Sequence, residues 1–455
     1  MDLWAKVRDK LLRQCMRFNL VQPVFWFILR AVSEVPSPAA DNSPPKPTLL
    51  ALNPMRFRGD LDILANSGRY RVLRFPFKYQ ASLVLAFYRP QDRADVFRFY
   101  APDSTDELLV RRTRLHRYLG RLLPPLFERL GVDAVISPAI HYKQDIDIGA
   151  AAHNLKTPWI VMHRENFKAS PGHRADILTL GHSYRRFLGS RLIVQNEIMR
   201  RALIESGFVS PDRISNCGCL RMDAFTAAIR MPAETGTKSR KSVVFFSFFH
   251  GVCIAPLREH ILADFDIVWS KDGNSGFVEL FNETHGALGE LARDHPEIDF
   301  VIKPKWGKPR WFDMIRNAIR QRGIEPDQLS NLVLTDDQPV VDLIRQADVV
   351  VSFGSSTMVE AAFAGKPVIV PYFAEALSAQ YRNYVHCQED FGLFDIVASA
   401  EALKDMVLTR LAHPEINPEI ERGRQELFDR YLGSGDDSAL NRHAAVFVEL
   451  MARRH

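Results

Sequence analysis

The chain has few cysteines. There are five in 455 residues, an odd number, scattered at Cys15, Cys217, Cys219, Cys253 and Cys387. That usage argues against a disulfide framework and predicts a reducing compartment. Cys217-Gly-Cys219 is one residue short of the usual Cys-x-x-Cys spacing, and no second pair with metal-ligand spacing follows, so buried, inert thiols are expected. No uninterrupted apolar run reaches the roughly 20 residues that a spanning helix needs. Charge of one sign is also scarce. The formal net charge of +5 is too mild over this length to argue for nucleic acid. No motif that reads DNA or RNA is present, and neither is a repeat of solenoid type. Mild basicity suits an anionic substrate or an anionic membrane face.

A hydrophobic content of 46% and a charged content of 25% are ordinary for a soluble globular protein. The length predicts two domains of roughly 180–220 residues. Ahead of them, Lys6, Arg8, Lys10, Arg13 and Arg17 precede the short apolar stretch from Val21 to Leu29. Gln22, Pro23 and Arg30 interrupt that stretch, which speaks against a signal peptide. Two readings stand: a basic helix lying on the cytoplasmic face of a membrane, or a helix packed on its own domain. Glu34 to Pro47 is a proline-stiffened linker by composition.

From Thr48 onward, candidate strands alternate with helices. Strands are expected at Thr48 to Leu52, Tyr70 to Phe75, Asp133 to Ser137, Pro158 to Met162 and Arg213 to Cys217. A long basic helix from Glu107 to Leu130 is expected to break at Pro124-Pro125. Residues 226–241 are polar and read as an inter-domain linker. A second α/β series starts at Ser242 and includes strands at Phe300 to Ile302 and Leu332 to Leu334. The predicted fold class is α/β, with two Rossmann-like parallel-sheet domains facing a cleft and an N-terminal helical extension. The segments are 1–47 (basic amphipathic helix and linker), 48–230 (first Rossmann-like domain), 240–415 (second Rossmann-like domain) and 416–455 (C-terminal helices).

Asp348 to Pro371 is the most informative stretch. Val349 to Val351 is a doubly buried strand, Gly354-Ser355-Ser356-Thr357 a tight turn, and Met358 to Ala364 a short helix. The helix start offers N–H groups and a positive dipole end to a phosphate. Gly365 and Pro367 stop the helix before the next strand. Gly365-Lys366 is followed by proline and closes a helix, so it is not a P-loop. The structural alternative is a capping box, with Thr357 capping the helix and Glu360 reaching back to the Thr357 N–H.

This stretch is similar to the donor-binding half of GT-B glycosyltransferases. Among them it most resembles the bacterial surface-carbohydrate and CDP-glycerol glycerophosphotransferase-like proteins. The resemblance runs from about Asp133 to Arg442. It implies that Gly354, Ser355, Ser356 and Thr357 hold the donor phosphate and that Glu360 holds the ribose. Lys303-Pro304-Lys305 matches a Lys-Pro-His-Pro-like sequence in two positions, with Lys305 standing where histidine would. As point charges Lys303 and Lys305 suit a donor phosphate; a solvated basic loop is the alternative. His250 and Gly251 end the first strand of this half and are further donor candidates. Cys217 to Asp223 resembles a Gly-x-Pro-Arg-x-Asp pattern, kept at Gly218, Arg221 and Asp223, with a role at the domain junction.

In the first half, His163 and Glu165 follow a strand end, as a general base with an orienting carboxylate would. Asp145, Asp147 and Asp60 are the other candidate bases. Asp145-Ile-Asp147 has the spacing of a GT-A metal site but lies in the wrong half, so no metal and no cofactor beyond a nucleotide-sugar or CDP-alditol co-substrate is expected. The resemblance thus implies a metal-independent, cytoplasmic glycosyltransferase of surface-polysaccharide or capsule assembly, acting on a glycan or lipid-linked acceptor with possible peripheral membrane contact. Three alternatives share the architecture: a CDP-glycerol-type alditol-phosphate transferase, a UDP-sugar 2-epimerase, and a non-catalytic scaffold.

Overall fold

Short apolar runs become the inner strands of two sheets. A computed structural model describes residues 3–37, 45–93, 96–231, 240–253, 276–433 and 438–452. Parts of the two expected linkers (38–44 and 232–239) and of the Gly433 to Asp437 break (434–437) lie outside the described residues. Contacts divide the chain into two units. One holds the residues up to Asn166, Ile177–Asp223 and those from Leu432 on; the other holds Phe167–Asp176 and Ala224–Tyr431.

The first unit has seven strands: β1 (Ser33–Glu34), β2 (Thr48–Ala51), β3 (Arg71–Arg74), β4 (Val132–Ser137), β5 (Trp159–Met162), β6 (Arg191–Val194) and β7 (Ile214–Asn216). Their order is β1-β3-β2-β4-β5-β6-β7. All pairs are parallel except β1 with β3. The two-residue β1 lies at the start of the expected linker, where Ser33 pairs with Arg74 and Glu34 with Leu73. Every residue of β2, β5 and β6 is buried, as strands covered on both faces require.

The helix Glu107–Leu130 runs unbroken through Pro124 and Pro125, against the expected break. Each proline deprives the carbonyl four residues earlier of its donor. Those carbonyls belong to Gly120 and Arg121, which are exposed, so water can take the place of the lost donors. The helix buries Leu115, Leu119, Leu122, Leu126 and Phe127 along one face. Asp106 caps it by accepting from the Leu108 N–H at 2.9 Å, and Gly131 ends it at φ +67°.

Two helices, Leu3–Arg17 and Val21–Ala31, stand where a single amphipathic one was expected. They bury Leu12, Cys15, Met16, Val24 and Ile28. The C-terminal helix Ala439–Ala452 also belongs to the first unit. Its Phe447 meets Tyr70 edge-on at 5.4 Å, and the Asp223 carboxylate accepts from the N–H groups of Ala439 (3.0 Å) and Leu440 (2.9 Å). Asp223 therefore acts as a remote N-cap.

The second unit has six parallel strands: β8 (Ser242–Phe246), β9 (Asp299–Lys303), β10 (Leu332–Leu334), β11 (Val349–Ser352), β12 (Val368–Pro371) and β13 (Asp395–Val397). Their order, β10-β9-β8-β11-β12-β13, reverses direction between β8 and β11. The first unit reverses likewise between β2 and β4. Open parallel sheets bind ligands beyond the carboxyl ends of the strands at such a switch point.

Candidate functional site

In the second unit the switch point is built from the segments after β8 and β11. Gly354 takes φ +62°. A Cβ placed on it would lie 2.3 Å from the Cys253 sulfur and 3.0 Å from Val252. The loop after β8 is thus brought against the Gly354 turn through Val252 and Cys253. The capping box is not formed. The helix runs Thr357–Phe363, and Ser356 before it already has helical angles (φ −60°, ψ −19°), whereas a capping residue is extended. Glu360 instead accepts from the Ser356 hydroxyl at 2.8 Å. Thr357 Oγ1 lies 2.8 Å from Ser352 Oγ. Ser355 and Ser356 are half-buried, and Ser355 Oγ receives the Thr357 N–H at 3.4 Å. Lys366 is held by the carbonyls of Arg345 (3.0 Å) and Ala347 (2.8 Å), a structural use of the Gly-Lys pair.

The loop after β9 divides its two lysines. Lys303 donates to the Asp336 carbonyl at 2.7 Å. Burial holds its pKa below the usual lysine value against the pull of Asp336 and Asp337. Lys305 is exposed, with its ammonium 5.1 Å from the Phe249 ring centroid and 5.7 Å from that of Trp306. Trp306 leans on Phe249 and on Trp311, each at 4.8 Å. These rings line a small cavity with Ser247, Pro304 and Lys305. The aromatic wall was not singled out from sequence, although Lys305-Trp306 and Trp311 mark it. His250 rests edge-on against Phe281 at 4.9 Å. His285, which the sequence reading passed over, lies 2.8 Å from Ser247 Oγ and 2.6 Å from the Phe281 carbonyl. Burial pulls its pKa down to about 3, as fits a neutral core histidine.

In the first unit, His163 and Glu165 follow β5 in different settings. His163 is 4% exposed, its ring 6.1 Å from that of His141, whereas Glu165 is exposed. Between them, Arg164 turns inward to place Nε 3.0 Å from Asp60 Oδ2, both side chains being buried. His163, Arg164 and Asp60 line a small cavity with Gln195, Gly218 and His443. Burial raises the Asp60 pKa in spite of the charges of Arg164 and Arg221. Asp60 thus serves as a buried ion-pair partner of Arg164.

Asp145 and Asp147 begin the helix Lys143–Asn154, and the structure separates their roles. Burial would raise the Asp147 pKa. The hydrogen bond from His116 (2.9 Å), the Arg112 charge (Nε at 3.1 Å) and the Tyr88 hydroxyl (2.8 Å) outweigh it, and the pKa is lowered. A carboxylate clamped by three partners is a structural anchor, not a base. Asp145, at the β2–β4 switch point, is 0% exposed, and neither oxygen makes a hydrogen bond of ordinary geometry. Burial raises its pKa well above 3.8 against the pull of the Asn53 side chain and Arg56. Its neutral form is favoured on folding, so its contribution is intact below pH 3.8 and is eroded as pH rises toward the folded pKa. Asp145→Asn should therefore raise hydrogen-exchange protection in the peptide covering 143–154 at pH 8, with a gain that fades toward pH 4. Each unit of folded-state shift corresponds to about 1.4 kcal/mol. Equal gains at both pH values would refute a buried acid as the cause.

No protein-family model matches the chain, and no curated protein matches its sequence. Solved structures do match along their length. A UDP-GlcNAc 2-epimerase from Neisseria meningitidis bound to UDP-GlcNAc is 13% identical, with 88% of this chain and 99% of that one covered and a TM-score of 0.47. A glycosyltransferase from Rickettsia africae is 11% identical, with coverages of 89% and 99% and a TM-score of 0.48. A UDP-forming α,α-trehalose-phosphate synthase from Burkholderia vietnamiensis is 12% identical, with coverages of 90% and 100% and a TM-score of 0.46. At these identities and TM-scores the likeness does not transfer an activity.

Proposed function

We propose that this protein is a glycosyltransferase that takes a sugar from a nucleotide-activated donor, with the second unit as the donor-binding half. The observation that carries the reading is the Gly354-Ser355-Ser356-Thr357 turn at the carboxyl edge of β11, on the switch point of a doubly wound sheet. The half-buried Ser355 hydroxyl supplies a donor suited to a diphosphate, and Lys305 adds positive charge. Together these groups would stabilise the departing nucleotide phosphate electrostatically. The Phe249–Trp306–Trp311 wall offers a base a surface to stack on. Glu360 holds the ribose in this reading, with the Ser356 hydroxyl orienting its carboxylate. His163 or Glu165 takes the proton of the acceptor hydroxyl.

Incubation with UDP-, GDP-, CDP- and CMP-linked donors and a lipid-linked glycan acceptor tests this. Acceptor-dependent release of the nucleotide from one donor class is expected. Acceptor-free conversion of UDP-GlcNAc would point to an epimerase, glycerol phosphate transfer from CDP-glycerol to the alditol-phosphate alternative, and binding without turnover to a scaffold. Glu360→Ala should weaken the donor by about ten- to a hundredfold, the worth of one hydrogen bond to a charged group. Unchanged affinity with a lower melting temperature would assign Glu360 to the fold alone.

The N-terminal helices support a peripheral membrane contact for a lipid-linked acceptor. No helix among the described residues is long and apolar enough to cross a membrane. Phe18 (72%) and Trp26 (52%) are exposed with Leu11 and Leu20, amid the exposed cations Lys10, Arg17 and Arg30. Exposed apolar residues and exposed cations on the same two helices and their connecting turn suit an anionic interface. The protein should sediment with phosphatidylglycerol vesicles and not with phosphatidylcholine vesicles. Burying a phenylalanine is worth about 1.5–3 kcal/mol, so Phe18→Ser should lower partitioning roughly 10- to 150-fold. Equal sedimentation with both lipids, or with neither, would contradict the contact.

A further inference from the structure

Two buried histidines are linked through Cys253 to the Gly354 turn, and the proposed chemistry leaves them unused. His173 lies in the 167–176 segment that groups with the second unit, and His386 follows the short helical turn Arg382–Tyr384. His386 Nε2 is 3.1 Å from His173 Nδ1, and Ser170 Oγ is 2.8 Å from the same nitrogen. The link to the turn is Cys253. Its sulfur lies where a Cβ on Gly354 would be, and its backbone hydrogen-bonds the His173 ring. The Cys253 thiol is in turn approached by the His386 backbone.

The hydrogen bonds set the tautomers. His173 gives its N–H to the Cys253 backbone, so the single lone pair of its Nδ1 is shared between the Ser170 hydroxyl and the Nε2–H of His386. His386 is then left with a bare lone pair on Nδ1. That atom is buried and has no hydrogen-bond partner among the described residues, in a residue 6% exposed. A buried polar atom without a partner costs about 1–3 kcal/mol. Phe167 closes one side of the ring at 4.7 Å. The charged and titratable groups that act on the pair are Lys168 and His173 from the 167–176 segment, Lys305 from the loop after β9, and Cys253 from the loop after β8. Two lysines beside an unsatisfied imidazole nitrogen favour an anion that arrives with a proton.

We propose that the His173–His386 pair is a proton-accepting phosphate site, in which His386 Nδ1 takes a proton from solvent and donates it as a hydrogen bond to a phosphate of the bound donor. The proposal rests on the donor reading above. No heavy-atom bond changes: one proton moves from solvent to Nδ1, and the resulting imidazolium donates to the phosphate oxygen, whose charge Lys168 and Lys305 also attract. Before binding, the pair is neutral because burial and the two lysines oppose protonation; the pKa of His173 is pulled down to about 3. The phosphate reverses that balance. His386 and His173 are thus positioning groups for the anion.

Calorimetry of UDP, GDP, CDP and inorganic pyrophosphate, run at pH 7 in buffers of low and high ionisation enthalpy, tests the proposal. Close to one proton should be taken up per ligand bound, by the pyrophosphate complex as well as by the preferred nucleotide. His386→Asn should abolish the uptake. Wild-type affinity should fall about tenfold per pH unit above neutrality relative to His386→Asn, a comparison that cancels the titration of the ligand itself. If His386→Asn does not fold, His386→Gln takes its place in both comparisons. Binding with no proton uptake overturns this inference and leaves the donor reading intact; no binding of any of the four ligands overturns both.

Discussion

Asp147→Ala should cost the first unit about 3–5 kcal/mol, the usual effect of breaking a buried charge pair from one side. The variant leaves Arg112, His116 and the Tyr88 hydroxyl around an empty position in a helix that packs on β4 and β5. Domains of this kind are stable by about 5–15 kcal/mol, so the loss takes a large share of the total. Because the chain holds two units, a single melting temperature is a poor readout. Hydrogen exchange in the peptide covering 143–154 reports the local cost directly. The sign with pH is also fixed. A carboxylate whose pKa is lowered on folding contributes above its unfolded pKa, and the contribution is lost as pH falls through the folded value. The difference between wild type and Asp147→Ala should therefore narrow in acid, below about pH 4. A cost under about 1 kcal/mol at pH 7 would refute the anchor role, since that is the worth of an exposed pair.

Gly354→Ala should cost about 2–5 kcal/mol and take donor binding with it. Two terms add. A non-glycine residue at φ +62° costs about 1–2 kcal/mol, and overpacking against Cys253 and Val252 a further 1–3 kcal/mol or so. The terms separate in a double mutant. Cys253→Ala removes the sulfur that the new methyl meets, so Cys253→Ala/Gly354→Ala should recover the Cys253 part of the overpacking, while the Val252 contact and the backbone share remain. Exchange in the peptide covering 349–363 measures both. If the double variant shows no recovery, the close approach of the two loops is not what constrains Gly354.

Much of the architecture was legible because it is written locally. Val349 to Val351, Thr48 to Ala51 and Trp159 to Met162 are continuous apolar runs, and the structure buries them all. Gly354 was readable as a turn because a small residue before a helix has few other uses. What escaped depends on partners distant in sequence. Asp145 and Asp147 are two residues apart in one motif, and only the groups around them separate the neutral acid from the clamped carboxylate. The prolines at 124 and 125 signal a break, but the exposure of Gly120 and Arg121 removes the penalty. Thr357-Met-Val-Glu360 fits a capping box by spacing, yet the helical angles of Ser356 send Glu360 to a hydroxyl instead. The contact of His173 with His386 spans 213 positions, and no periodicity carries it.

The most direct test of the donor reading is a crystal structure of the protein soaked with the nucleotide diphosphate that binds it best. The diphosphate should lie within hydrogen-bond reach of Ser355, Ser356 and Thr357, with the base near Trp306. A diphosphate bound elsewhere, with the Gly354 turn vacant at saturating nucleotide, would contradict the account.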